Sequence, residues 1–320
     1  MTPPPETLVI DASEISKMQP WRRPWWHAAR GDEPTLGWMI LIHVSAVVGM
    51  ILFPLPGWPI ALTAWSIYFL GGLGTTVCFH RALSHKSVKL NPVVRDVLIF
   101  LAMMNGSGSP LSWVANHRLH HAKSDTPEDI SSPRIGGFWW SHLKWLWQAG
   151  AAPVQKYCKE LNTPGYRKWS HLQIPLFAVA FLLGLPFGLL FAYSSVHGWA
   201  APTHGFAASH PVLAAMFWIG PIRLVWALHA QCFVNSICHL RPGVPMGEPT
   251  ARNVPWLGVM HAFQGEQWHQ NHHDRPGSAR LGFNAGQWDV GWLTIVMLEK
   301  LGLARDVRRP DLREEIDVAA

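Results

Sequence analysis

Two long stretches of the chain, positions 34–79 and 169–222, carry no Asp, Glu, Lys or Arg. Each is more than twice the length of about 20 apolar residues that one helix needs to cross a bilayer, so each has room for two passes and a return. In the first, Leu36 to Phe53 and Trp58 to Cys78 flank Pro54-Leu55-Pro56-Gly57, where two prolines and a glycine interrupt helix. In the second, Ile174 to Tyr193 and Val212 to Val234 flank a polar, uncharged connection containing His197, Gly198, Pro202 and Gly205. The pattern predicts an all-α membrane protein with four transmembrane helices in two hairpins, at residues 34–80 and 172–234. Around them lie an N-terminal lead, 1–33, and two water-facing segments, 81–171 and 235–320.

Composition agrees with lipid as the solvent. Only 14% of the residues are charged, against roughly 25% in soluble domains. The mean hydropathy of +0.09 is low for four passes, which fits a large water-facing portion. Of the 26 basic residues, four precede the first hairpin, twelve lie between Arg81 and Lys168, nine follow Asn235, and Arg223 sits inside a helix. The hairpin turns have none. By the positive-inside rule both termini and the central segment are cytoplasmic. The pI near 9.3 then follows from topology and attraction to anionic head groups, and no nucleic-acid partner is needed. The Pro-rich start lacks the apolar core of a signal peptide, and Trp21, Trp25 and Trp26 form an expected interfacial anchor. Cys78, Cys158, Cys232 and Cys238 show no CxxC spacing and are expected to be free thiols.

Chemistry enters with the histidines. His80 and His85 form H-x4-H at the exit of the second helix, His117, His120 and His121 form H-x2-H-H, and His269, His272 and His273 repeat it. With 18 histidines in 320 residues, chance supplies the triplet pattern roughly 0.06 times, so two copies are not a compositional accident. On a helix, positions i, i+3 and i+4 lie within about 100° of arc, so each triplet is expected to aim three imidazoles at one small volume. Paired histidines at helix ends are often satisfied by carbonyls or lipid phosphate, but neutral imidazoles in such numbers converge to little purpose without a cation. Imidazole suits Fe, Zn, Cu and Ni alike. His239, one turn after Asn235 at the exit of the fourth pass, is a ninth ligand. Nine nitrogens exceed one ion's capacity and describe a dinuclear centre, with Asn235 as a tenth contact, direct or through water. Most of the other nine histidines lack ligand spacing, and all nine are read as structural or interfacial.

The blocks FHRALSHKS from Phe79, WVANHRLHHAKSDTPED from Trp113, GGFWWSHLKWLW from Gly136, NSICH from Asn235, GEQWHQNHH from Gly265 and LEKLGLARDV from Leu298 resemble those of membrane fatty acyl desaturases, in particular the acyl-CoA delta-9 (stearoyl-CoA) type. The resemblance runs in family order from about Phe79 to Val307. It implies four transmembrane helices under a cytosolic helical cap, with a di-iron site between them. The metal ligands it implies are His80, His85, His117, His120, His121, His239, His269, His272 and His273, with Asn235 holding a metal-bound water, and the two irons would use O2 as co-substrate. The reaction implied is removal of two hydrogens from adjacent methylenes of an acyl chain, carried by coenzyme A or by a lipid, to give a cis double bond. A bacterial inner membrane is the expected location.

An unactivated methylene offers no acidic proton, so acid–base catalysis cannot act on it, and the protein's part is to hold one carbon–carbon bond of a uniform chain beside the metals. Trp113 is the leading candidate for the wall of such a tunnel, with Trp139 and Trp140 as further aromatic candidates. Asp125, four residues after His121, and Glu266, three before His269, are expected to reach back along a helix and orient metal-bound imidazoles, with Asp129 a weaker candidate. Gln267 and Gln270 replace the Gly and Asn of the usual family pattern, so altered pocket or partner surfaces are expected there. No HPGG, CxxC or GxGxxG segment occurs, so electrons are expected from a separate ferredoxin, rubredoxin or cytochrome b5-like donor with its reductase. Two other readings remain open at this point: a hydroxylase on the same scaffold, and a metal transporter. Ligands on one side of the hydrocarbon core, away from its midplane, speak against transport.

Overall fold

The structure is a computed structural model and describes residues 18–196 and 209–310. Most of the lead and the connection at His197, Gly198, Pro202 and Gly205 lie outside the described residues. In chain order the main helices are α1 (Glu33–Leu52), α2 (Trp58–Ser84), α3 (Pro92–Met104), α4 (Pro110–Lys123), α5 (Gln173–Tyr193), α6 (Pro211–Cys238), α7 (His269–Asp274) and α8 (Val290–Lys300). Four of these, α1, α2, α5 and α6, are long and apolar enough to cross a membrane. Their outward faces are aliphatic: on α1, Ile40, Val44, Val47 and Ile51 are exposed at helical spacing, as expected where lipid replaces water.

The spanning helices approach one another through small residues. A Cβ on Gly184 of α5 would stand 2.1 Å from Ala215 O of α6, and one on Gly220 of α6 would stand 2.1 Å from Phe181 O of α5, the close-contact strategy of helices in lipid. Pro221 interrupts α6 beside Gly220, and the helix widens over Trp218–Ile222. Arg223 follows, buried in the bundle. Its guanidinium donates to the carbonyl oxygens of Ile219, Met104 and Ala180 and to Asn105 Oδ1. Those carbonyl dipoles satisfy the charge where water cannot.

Helix α2 runs on to Ser84, past Cys78 where the apolar pattern ends, because Arg81 is drawn inward rather than into water. Arg81 and Asp289 form a fully buried ion pair at 2.8 Å, and the guanidinium also donates to Ala279 O and Gln264 O. This fastens the end of α2 to the chain entering α8, as does a short antiparallel ladder of β1 (Lys89–Leu90) with β2 (Ala304–Arg305). The cap core forms around Val77, Phe79, Ile99, Met103, Val114, Ala115 and Ile295. The lead straps across the segment after Trp139: Lys144 donates to Trp21 O and Arg23 O, and Trp147 to Trp25 O. Of the expected anchor tryptophans, Trp21 and Trp25 rest on Trp140, Trp139 and Trp147, and Trp26 is exposed. The four cysteines are buried and free.

Candidate metal centre

The last part of α2, Gly74–Ser84, is wound more widely than an α-helix. In a regular helix, five residues turn about 500°, which would leave His80 and His85 roughly 140° apart. The wider winding pairs the His85 N–H with His80 O at 3.1 Å, and the two rings come to 5.1 Å between centroids. Such widened turns recur at functional sites. Opposite them, α4 supplies His117, His120 and His121, the exit of α6 supplies His239, and α7 supplies His269, His272 and His273.

These nine side chains form two groups: His80, His85, His117, His121 and His272 in one, and His120, His239, His269 and His273 in the other. Within each, the facing nitrogens lie within 4.8 Å of one another. The arrangement corrects the expectation that each triplet aims at one volume. In both triplets the first and third histidines, four positions apart, serve one group, and the middle histidine is sent to the other. Positions i and i+4 lie about 40° apart around a helix and i+3 lies on the far side of i, so a triplet at the seam between two groups is divided this way. The groups abut: His121 of one stacks on His273 of the other at 4.6 Å.

The contacts within each group are those of cation ligands. His80, His121 and His272 face one another through Nε2 at 3.0 and 2.8 Å, as do His85 and His117 at 2.8 Å. In the second group, His269 Nε2 lies 2.8 Å from that of His239 and 3.1 Å from that of His273. Adjacent nitrogens bound to one ion at about 2.1 Å sit about 3 Å apart. Partners on the outer nitrogen fix three tautomers with the Nε2 lone pair inward. His80 Nδ1 donates to Glu266 Oε1 and His120 Nδ1 to Asp129 Oδ2, both at 2.9 Å. His239 Nδ1 donates to Thr250 Oγ1 at 3.0 Å, and Thr250 in turn donates to Asp125. Neutral ring nitrogens crowded this closely and turned inward in a buried site are suited to a cation between them.

The electrostatics agree. Burial and the neighbouring imidazoles hold His117, His239, His269, His272 and His273 well below the usual histidine range, and His85 at about 2. These rings are therefore neutral at pH 7, the form that binds metal. His120 is raised: burial opposes its charge, but Asp129 prevails. Glu266 is held at about 2, burial being outweighed by His80 and Arg81 and by the hydroxyl of Thr76.

Two outer contacts differ from expectation. Asp125 does not reach back to His121; α4 ends at Lys123, Asp125 has φ +64°, and its carboxylate meets Thr250 instead. Glu266 lies before α7 on a loop turned by Gly265 (φ +109°) and bonds across to His80 rather than to His269. Asp129, the weaker candidate in the sequence, makes a direct contact. Thr250 and the buried His261 carried no spacing signal.

A cavity of about 870 Å³ opens beneath the histidines and descends among the spanning helices. His80, His117, His120 and His269 line its upper end, together with Asn235 and His261. Trp113 lines it too and stacks on His117 at 4.8 Å. Trp139 and Trp140 are not tunnel walls: Trp139 is exposed, and Trp140 is buried with its indole N–H donating to Ile130 O. Gln267 is fully buried, its amide clasping Gly265 N and Trp288 O, so it shapes the loop before α7 rather than the cavity. Gln270 is exposed.

Residues 56–281 match the family model described as fatty acid desaturase. The chain is 32% identical to delta-9 acyl-lipid desaturase 1 of Arabidopsis thaliana, over 95% of this chain and 92% of that protein. It is likewise 32% identical to the sn-1 stearoyl-lipid 9-desaturase of Synechocystis, over 86% and 81% of the two chains, and to an acyl-CoA 5-desaturase of Anemone leveillei, over 94% and 86%. With four helices fit to cross a membrane, two adjoining histidine groups suited to metal ions, and matches along nearly its whole length, the chain belongs to the fatty acid desaturase family.

Proposed function

We propose that the protein is an O2-dependent desaturase that introduces a cis double bond at the delta-9 position of a saturated acyl chain. The observation that carries this reading is the pair of histidine groups at the head of a cavity leading into the spanning bundle. The delta-9 position is supported by the acyl-lipid 9-desaturases among the relatives. Two bound irons would supply, with O2 and two electrons, the oxidising power that an unactivated methylene demands. In sum, one O2, two electrons and two protons accompany the loss of two hydrogens from the chain, and two waters leave.

The protein's residues do the positioning. His80, His85, His117, His121 and His272 would hold one ion and His120, His239, His269 and His273 the other, with Asn235 keeping a water at the metal. Glu266, Asp129 and the Thr250–Asp125 pair fix ring orientation. Trp113 and the apolar wall confine the chain and exclude water. Positive-inside charge supports a cytoplasmic cap and cytoplasmic termini, which puts the site within reach of a soluble ferredoxin, rubredoxin or cytochrome b5-like donor.

Expression in a host lacking desaturases, followed by mass spectrometry of its lipids, tests the proposal. A new cis-9 unsaturated chain is expected, and His120→Ala or His272→Ala should abolish it. A hydroxylated chain would replace the desaturase reading with a hydroxylase one. Metal analysis should find about two irons per chain.

A further inference from the structure

The cavity beneath the histidines also reaches outward, between α1 and α5. Gly37, Trp38 and Leu41 of α1 and Ile174, Phe177 and Leu182 of α5 line this part, and of these Gly37, Leu41, Ile174 and Leu182 are exposed on the outer surface of the protein. Trp38 bridges the two helices, stacked on Phe177 at 5.0 Å and edge-on to Phe181 at 6.1 Å. The level of this mouth follows from the helix starts. Gly37 is in the second turn of α1, Ile174 is the second residue of α5, and both helices begin on the cap side. The mouth therefore faces the hydrocarbon just below the head groups of the leaflet nearest the cap.

Its charge discriminates between carriers. Among the described residues lining the cavity none is Lys or Arg, and Asp32 stands on its rim. Binding the phosphates of coenzyme A calls for cations, above all arginine, and a carboxylate at the rim repels them. A membrane lipid with no net head-group charge meets no such penalty. Its chain already lies at the depth of the mouth, and sliding it sideways keeps every methylene out of water. Drawing a chain through water would instead cost about 0.8 kcal/mol per methylene.

Building on the desaturase reading, we propose that the opening between α1 and α5 is a lateral portal. It admits the acyl chain of an intact bilayer glycerolipid, uncharged or zwitterionic in its head group, with Trp38 as the sill. The head group stays at the rim by Asp32 and Thr35, and the chain passes Phe177 toward the histidines. Gly37 is the natural place to close the portal, because a Cβ there would have nothing within 4 Å, so a large side chain fills the mouth without disturbing the helices.

The test uses the full chain in liposomes of a phosphatidylcholine whose saturated chain ends in a diazirine. Photolysis and peptide mass spectrometry then report labels on Tyr68 and Thr75, which line the deep cavity. Gly37→Trp should cut this labelling by about tenfold or more and Gly37→Ala should leave it within about twofold, while a diazirine stearoyl-CoA labels these residues weakly in all three proteins. Labelling by the phosphatidylcholine that is absent in the unmodified chain or unaltered by Gly37→Trp overturns the portal. So does equal labelling by the coenzyme A analogue. Product analysis of the same liposomes, loaded with iron and supplied with O2, a ferredoxin and its NADPH-dependent reductase, separates the two readings: labelling blocked by Gly37→Trp with no unsaturated product supports the portal and counts against the desaturase.

Discussion

His120 Nδ1 lies 2.9 Å from Asp129 Oδ2, with both side chains buried. The carboxylate fixes the tautomer that turns the His120 Nε2 lone pair toward the second group and makes the ring a stronger donor. Asp129→Ala should therefore lower metal affinity or activity by about 10- to 100-fold, read as iron content and product yield. Asp125→Ala acts through Thr250 and should cost less. Equal losses from both would show that distance from the ring does not matter.

The division of each triplet makes neighbouring histidines inequivalent. His121→Ala removes a ligand from the group holding His80, and His120→Ala removes one from the group holding His239. Each variant is expected to keep about one ion per chain and to lose the other, with different spectroscopic signatures for the ion retained. Identical spectra from the two variants would contradict the division.

Arg81 and Asp289 are a buried pair in which each charge relies on the other. Removing one partner of such a pair typically costs about 3–5 kcal/mol. Asp289→Ala should lower the melting temperature sharply even in the metal-loaded protein, and replacing both residues by apolar ones should recover part of the loss.

A Cβ on Gly74 would stand 2.3 Å from Leu98 O and 2.7 Å from Ala102 N on the backbone of α3. Backbone cannot swing aside as a side chain can, so Gly74→Ala should cost about 1–3 kcal/mol, measured by thermal unfolding. Gly37→Ala, where space is open, is the matching control.

Glu160 receives Lys86 and Arg118 at 2.8 and 2.7 Å. Its burial raises its pKa, but the two cations prevail and hold it at about 2, below the usual 4.5. A depressed carboxylate stabilises the fold above its unfolded value and loses that contribution as pH falls toward the folded one. Protection from hydrogen exchange around Lys159–Leu161, taken relative to the intrinsic rate at each pH, should fall between about pH 4.5 and 2, and Glu160→Gln should show the lower protection already at pH 7. Because Glu160 and Lys86 are exposed, high salt should shrink the difference.

Helix number and the clustering of nine histidines were legible in the sequence because each rests on a local signal: absence of charge, a break at Pro54 to Gly57, a repeated spacing. The outer contacts were less so. Asp125 and Glu266 are spaced as helical neighbours of their histidines, but both lie outside the helices, Asp125 after α4 and Glu266 before α7. Asp129 meets His120 across a turn that a 3.6-residue period does not describe. Thr250 and His261 arrive from distant segments with no pattern of their own. The wide winding of α2 was equally hidden, although H-x4-H is itself awkward for an α-helix and could have pointed to it.

The interleaving of the two groups bears on how the molecule matures. Neither cage can be closed by the first half of the polypeptide: His272 completes one, and three of the four ligands of the other also come after residue 235. A chain emerging from the ribosome can build most of one cage, yet it must wait until the segment from His239 to His273 has been made before either ion is enclosed. Metal capture would then rivet the segment before residue 122 to the segment after residue 238, which no shorter stretch of the chain can do alone.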